Sequence, residues 1–286
     1  MRKWGSQGKE NSEVQALKTD LKRAFGSWGF IAAVIGFAVA AFFGVAGQIL
    51  PILQGQMEDG LAAGYSIQLS IDSLKTDVVL LVLPILAALP FTTAFVDDHK
   101  SRYLREYLPR AGKRPYLVSR VAATALSGGL ALFLGVFLAC FAFALLFTPM
   151  ELMPQEAEKL AGEMAMTAEM GGQADTAAQL TFTDLIGRAF LFFLSGALWS
   201  LVGGMFAALT QSRYMAYASP FIFYYVLVIL SQRYFRNAYV LSPQEWLNPS
   251  GLWNAGIWGA ALLVGELAIL VGLSYGFLMQ RRMRDA

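Results

Sequence analysis

Six stretches of this chain are free of charged side chains for long enough to cross a lipid bilayer. They run over residues 24–57, 78–96, 121–150, 189–212 and 214–232, with a sixth at 246–280 that only Glu266 interrupts. A helix rises about 1.5 Å per residue and the hydrocarbon core is about 30 Å thick, so about 20 apolar residues suffice for a crossing. Hydrocarbon offers backbone groups no water, so such runs must satisfy their own hydrogen bonds as helices. The sequence therefore predicts an all-α polytopic membrane protein, with six transmembrane helices near 28–52, 77–97, 117–148, 184–210, 214–232 and 254–279.

Charged residues make up 15% of the chain, against about 25% in soluble domains. The longest connection, 149–183, leaves no room for a separate catalytic domain, so residues 1–286 read as one transmembrane domain. The single cysteine, Cys140, lies in an apolar run and rules out an intrachain disulfide.

Loop charge sets the orientation. Of the 22 Lys and Arg residues, seventeen fall in the N-terminal segment, in the connection after the second span, in the link after the fourth and at the C-terminus. Positive loops stay inside, so both termini are predicted to be cytoplasmic, as an even number of spans requires. The long charged leader and long apolar stretch of the first span read as a retained anchor rather than a cleaved signal. The expected location is a bacterial plasma (inner) membrane.

The segments between spans carry their own patterns. Over 10–27, Val14, Leu17, Leu21, Ala24 and Trp28 recur at helical spacing, with Glu13, Lys18, Lys22 and Arg23 off that stripe. This predicts an amphipathic helix in the membrane interface, or a helical extension of span one with a wet face. In the basic connection 97–120, Ser101 can cap a helix that Pro109 stops, and Tyr103, Leu104, Tyr107 and Leu108 share one face of it. The result at 101–108 is a short cytoplasmic helix, aromatic on one side and cationic on the other, held between two spans. Topogenic charge with an interfacial turn is the plainer reading. The loops at 54–77 and 149–183 are acidic and predicted to lie outside. Between spans five and six, Pro243, Trp246, Pro249 and Trp253 suggest a short helix dipping into the outer interface, which could be a re-entrant gate, or else an interfacial loop with aromatic anchors.

Polar residues within spans are few. Glu266 is the only carboxylate deep in a predicted helix, which makes it a functional candidate facing the bundle interior or a wet cavity, or a structural partner to a neighbouring hydroxyl or amide. Asp184 and Arg188 stand four apart and are expected to satisfy each other. Small residues four apart in span one (Gly36, Ala40, Gly44) and span six (Gly272, Gly276) allow close helix packing, within or between subunits. Span five carries Pro220, Phe221, Phe223, Tyr224 and Tyr225, the wall of a pathway or simple packing.

Some chemistries are excluded. His99, the only histidine, sits at a predicted boundary, so an intramembrane serine–histidine protease lacks its base. His-Glu-x-x-His is absent, and Asp97-Asp98-His99 on one short stretch makes a poor cage, so no metal is expected. There is no phosphate-binding loop: Gly8-Lys9 and Gly112-Lys113 lack the upstream glycine and the following hydroxyl. If ATP drives this protein, another chain binds it.

The order of these features resembles the membrane (permease) subunit of type-2 ATP-binding-cassette exporters, which move drugs and antimicrobial peptides. An amphipathic segment precedes span one. Span two ends in Leu83-Pro84-Ile85-Leu86-Ala87-Ala88-Leu89-Pro90-Phe91, and a basic connection with Leu104, Pro109 and Tyr116-Leu117 follows. A large loop separates spans three and four, and a segment from Trp246 to Trp253 precedes span six. The resemblance covers essentially the whole chain. It implies a non-catalytic subunit forming the path for an amphipathic or hydrophobic substrate (peptide, drug or lipid). Segment 101–108, with Ser101, Arg102, Tyr103, Leu104, Arg105, Glu106 and Tyr107, would be the coupling helix docked in a cytoplasmic ATPase, and 10–27 the connector helix. Phe91, Phe221, Tyr224, Tyr225 and Glu266 are the path candidates. The implied partners are the ATPase, which holds ATP and Mg2+, a second permease copy (homodimer or related heterodimer) and membrane lipids, with no nucleic acid and no cofactor on this chain. Spans one and five would meet across the dimer, and the 149–183 loop could dock a further component. An integral membrane enzyme or scaffold acting on lipid or peptide is the alternative, and an ion channel a third.

Overall fold

The computed structural model describes residues 3–53, 65–101, 112–146, 182–235, 239–249 and 256–283, and the described residues are helical throughout apart from turns. Eleven α-helices follow in order: α1 (Lys3–Phe25), α2 (Trp28–Gly44), α3 (Ala46–Leu53), α4 (Tyr65–Leu74), α5 (Asp77–Ala88), α6 (Ala94–Lys100), α7 (Lys113–Leu146), α8 (Phe182–Thr210), α9 (Arg213–Arg233), α10 (Pro243–Leu247) and α11 (Gly256–Arg282). Four of them, α7, α8, α9 and α11, are long and apolar enough to cross a membrane, and α1 with α2 makes a fifth if that pair, bent by 54°, counts as one span. Their bounds lie within a few residues of the expected third to sixth spans.

The first two expected spans are broken. Residues 28–52 divide into α2 and α3 at Val45, with Pro51 in the last turn of α3. Residues 77–97 divide into α5 and α6 around the turn Leu89–Thr93. Proline supplies no N–H and crowds the carbonyl four residues back, so Pro90 ends the helical ladder there. The turn replaces it with tighter bonds, Leu89 N–H to Leu86 O at 3.3 Å and the Thr92 hydroxyl to Ala88 O at 2.5 Å.

The core sits on α8, which packs against α7, α11, α9 and α5. Its membrane window is 72% buried, against 22% for α11, so α8 is the centre and α11 the rim. Small residues make the centre tight. A Cβ on Gly128 would lie 2.5 Å from Ser200 Cβ, and one on Gly196 would lie 2.6 Å from Gly128 O. The α7 and α8 backbones are therefore in contact, and the Ser200 hydroxyl seals the crossing by donating to Thr124 O at 2.8 Å. The stripe of span one packs inside the same chain: Ala40 is buried, and Gly36 and Gly44 face Leu86 and Thr76 of the next hairpin arm.

Two findings correct the expected loops. The segment 54–77 was read as an acidic outer loop, yet α4 tucks Leu69, Ile71 and Leu74 into the core against α7 and α2. Ser70 and Ser73 are buried as well, which is tolerable because Ser73 Oγ turns back onto Ser70 O at 2.6 Å. Trp246, read as an interfacial anchor or gate, is buried on α10: its ring stacks on Trp199 at 6.5 Å and its Nε1–H donates to Val240 O at 2.7 Å. Trp253 and the loop 149–181 lie outside the described residues.

Candidate functional site

Where α1, α6 and α7 meet, the chain buries charge. On α7, Tyr116, Ser119, Arg120, Ala123, Thr124 and Ser127 fall at helical spacing on the buried face. Arg120 is 1% exposed, as enclosed as the large aromatics of the core. Asp98, on the last turn of α6, is 2% exposed. Ions that deep persist only when paired, and each of these has a partner, although Arg120 Nε and Nη1 have no hydrogen-bond acceptor among the described residues. Arg120 Nη2 donates to Asp98 Oδ2 in an ion pair. The same carboxylate accepts from the Tyr116 hydroxyl at 3.0 Å and from Arg23 Nη1 of α1 at 2.9 Å.

The second carboxylate comes from α1. Asp20 Oδ1 lies 3.5 Å from Arg120 Nη1, and Asp20 Oδ2 accepts from the Ser119 hydroxyl at 2.7 Å. Two guanidinium groups and two carboxylates make the cluster neutral as a whole. The guanidinium plane is covered by rings, with the Phe91 centroid 5.0 Å and the Tyr116 centroid 5.1 Å from Arg120 Cζ. Such stacking adds cation–π contact to a guanidinium that hydrogen-bonds through Nη2 alone among the described residues.

This cluster closes the base of the connection 101–112. Asp98 precedes it and Tyr116 and Arg120 follow it, so both of its ends are tied by one buried carboxylate. Ser101, expected to start the coupling helix, closes α6: its N–H bonds Asp97 O at 2.9 Å and its hydroxyl donates to Asp98 O at 3.3 Å. Arg102, Tyr103, Leu104, Arg105, Glu106 and Tyr107 lie outside the described residues. Gly112 re-enters the described chain with φ +83°, a left-handed conformation suited to glycine, and α7 begins at the next residue.

The expected amphipathic helix 10–27 is α1, and its inward residues are Ala16 and Ala24 with Leu17 and Leu21 half-buried, packed on α7. Val14 and Trp28 are exposed, so the stripe is narrower than the spacing suggested. Ser27 ends it: its hydroxyl caps Phe30 N–H at 3.1 Å while donating toward Ala24 O and Pro90 O, which pins the α1–α2 corner to the turn that carries Phe91. The three residues Asp97, Asp98 and His99 diverge. Asp97 Oδ1 pairs with Arg213 Nε at the start of α9 at 2.6 Å, Asp98 enters the cluster, and His99 stacks on Phe95 at 6.2 Å.

The path candidates fall into three places. Phe91 is buried with Ala24, Ala94 and Ala123 beneath Arg120. Tyr224 is buried on α9 with its ring 5.5 Å from Trp199, and Phe221 and Tyr225 pair half-buried beside it at 4.8 Å. Glu266 is exposed on α11 and does not face the bundle interior. Arg188 reaches Asn248 Oδ1 at 2.7 Å and so ties α8 to the end of α10, while the side chain of Asp184 lies outside the described residues.

Sequence reasoning counted Arg120 as one more cytoplasmic charge and did not single out Asp20 or Asp98. The available signal was register. Arg120 stands four residues from both Tyr116 and Thr124, on the face that becomes buried, and beyond the first two turns of a helix that starts at Lys113. Comparison with family models, with curated proteins and with solved structures returns no match for this chain.

Proposed function

We propose that the chain is the membrane subunit of an ATP-driven exporter, forming the path for an amphipathic or hydrophobic substrate while a separate cytoplasmic subunit hydrolyses ATP. In this reading six spans cross a bacterial plasma membrane with both termini inside, α2–α3 and α5–α6 being the two broken ones, and a second permease copy completes the path. The single observation that carries the reading is the Asp98 carboxylate, which accepts from Arg120, Tyr116 and Arg23 at once. It joins the two ends of the 101–112 connection to each other and to α1. A segment that is to relay force into the membrane needs a base that does not splay, and a buried ion pair with ring cover supplies one. Arg213 adds a second tie, from the same helix end to the start of α9.

The sequence of events follows from that coupling. A motor that closes on ATP pushes residues 101–108, α6 and α7 move as a unit because Asp98 and Arg120 hold them, and α1 follows through Asp20 and Arg23. The helices that meet α6 and the 89–93 turn, α8 and α9 among them, then shift relative to the partner copy.

The test is biochemical. The tagged chain, expressed with its native neighbouring genes, should co-purify a cytoplasmic ATPase, and changing Tyr103, Arg105 and Tyr107 together to Ala should release that ATPase while leaving the chain in the membrane. An ATPase that never co-purifies, or one that stays bound to the triple variant, overturns the reading. So does labelling of a Ser101→Cys variant by a membrane-impermeant thiol reagent applied from outside the cell.

A further inference from the structure

We propose that the groove between α7 and α11, with Glu266 at its mid-membrane end, is a binding site for a lipophilic cation. The groove encloses about 620 Å3 and is lined chiefly by Val121, Ala125, Ile269, Gly272, Leu273 and Gly276. That volume falls within the range of pockets that hold drug-sized ligands, about 300–1,000 Å3. Small residues leave the space open: a Cβ on Gly276 would find Val121 Cγ2 no nearer than 3.8 Å, and one on Gly272 would meet Val121 Cγ1 at 3.4 Å, ordinary contact.

The length of the groove selects its occupant. On α11 its lining runs from Ala268 to Gln280 and on α7 from Leu117 to Ala125, about 18 and 12 Å at the helical rise. A partner's spanning helix would need a track of about 30 Å. A compact molecule fits, and its charge is set by Glu266. This carboxylate lies about 15 Å along α11 from Gly256, near mid-depth of the span. It is exposed on the same outward stripe as Leu262, Ile269, Leu273 and Phe277, one helical turn beyond the groove residue Ile269.

No described residue forms an ion pair with Glu266. The charged groups of the elements packed on α11 are engaged elsewhere or lie at helix ends: Arg120 with Asp98 and Asp20, Arg188 with Asn248, Lys113 and Arg114 in the first turn of α7 and Glu245 on α10. An ionisable group at this depth is expensive unless a partner compensates it. A cation wrapped in apolar groups satisfies both halves of the site, the carboxylate by charge and the groove by contact; a neutral or anionic amphiphile satisfies only the groove. As a point of substrate uptake the site rests on the exporter reading, but binding itself requires only this chain.

The experiment uses the full-length protein in phosphatidylcholine nanodiscs, without any ATPase, and tetraphenylphosphonium as the probe in equilibrium dialysis against empty discs. Saturable binding is expected. Glu266→Gln should weaken it roughly tenfold or more, the scale of one lost charge-assisted contact, and Gly276→Leu should do the same by filling the groove, with melting temperatures unchanged in both. Tetraphenylborate, the anion of the same shape, should not compete. The proposal fails if binding does not exceed that of empty discs, if both variants bind like the parent, or if the borate competes equally. A change of oligomeric state in Glu266→Gln that accounts for the lost binding also overturns it, by showing that a second copy covers this face. None of these results depends on co-purification of an ATPase, so the cation site and the exporter reading fail separately.

Discussion

Arg120 and Glu266 are both ionisable groups on helices long enough to span a membrane, yet their surroundings are opposite. Arg120 is sealed from solvent, paired with two carboxylates and covered by two rings. Glu266 stands on an open apolar face with no described partner. The first arrangement can be understood from this chain alone: its charges all come from α1, α6 and α7 and cancel, and the turn that carries Phe91 adds the second ring. The second is incomplete without something from outside. A charge that the fold itself neutralises serves the architecture, while a charge that the fold leaves open points to what the molecule meets.

That contrast can be broken by mutation. The largest effect is expected at the sealed end. Arg120→Ala or Asp98→Ala strips a buried charge of its most buried partner, leaving Asp98 to Arg23 and Tyr116 or Arg120 to Asp20, and should cost up to about 3–5 kcal/mol, read as loss of the folded fraction or a large drop in the melting temperature of the solubilised protein. The double variant Arg120→Met, Asp98→Leu should be less harmful than the two single losses combined, because the most deeply buried pair leaves together and only Asp20, still bonded by Ser119, and the half-exposed Arg23 lose an ion partner. If the single variants melt like the parent, the cluster is not what holds α6 to α7. Next in size is Gly128→Leu, which forces side-chain atoms into the α7–α8 contact and should cost about 1–3 kcal/mol or more; an unchanged melting temperature would show that the two backbones are not in contact.

Smaller effects should mark the edges. Arg23→Ala, with its side chain half exposed, and Arg213→Ala, more exposed still, should each cost under about 1 kcal/mol. The Asp97–Arg213 contribution should shrink in high salt while the Asp98–Arg120 contribution does not, because only the exposed pair is screened. The smallest effect is expected at the open end: Glu266→Leu should leave the melting temperature of the isolated chain within about 0.5 kcal/mol of the parent, the usual range for surface changes. A large destabilisation there would mean that Glu266 has a structural partner and would erase the contrast.

The difference between the two sites also explains how much was legible beforehand. The long spans α7, α8, α9 and α11 could be read from charge-free length, since bilayer thickness sets that length directly. The breaks could not: Pro90 and Val45 interrupt runs whose apolar content never falters, and hydropathy is blind to where a helix stops. Helix α4 hid in a stretch whose serines and aspartate read as loop, although Ser73 and Thr76 spend their hydroxyls on the backbone of the helix itself. Among candidate residues, Glu266 was noticed because it is the lone carboxylate of its span, but its direction could not be read, since a helical face cannot be assigned when apolar residues surround it on every side. Phe91 was noticed as part of a span-two motif and turned out to roof Arg120. Asp20, Asp98 and Arg120 were missed as a set because they lie 22 to 100 positions apart, and only the packing of α1 on α7 brings them together.

The glycine contacts of α8 carry a mechanical consequence. At Gly196 and Gly203 this helix meets α7 and α9 backbone to backbone, with carbonyl oxygens where side chains would ordinarily stand. No compressible layer separates these three rods, so they can turn only as one block. Helix α11 meets α8 differently, through the ring of Tyr275 at Gly204 and the branched side chain of Ile257 at Gly187. Side chains of that kind act as shims that can change rotamer. Among these four helices, α11 is therefore the one whose contact with α8 can readjust by side-chain rotation.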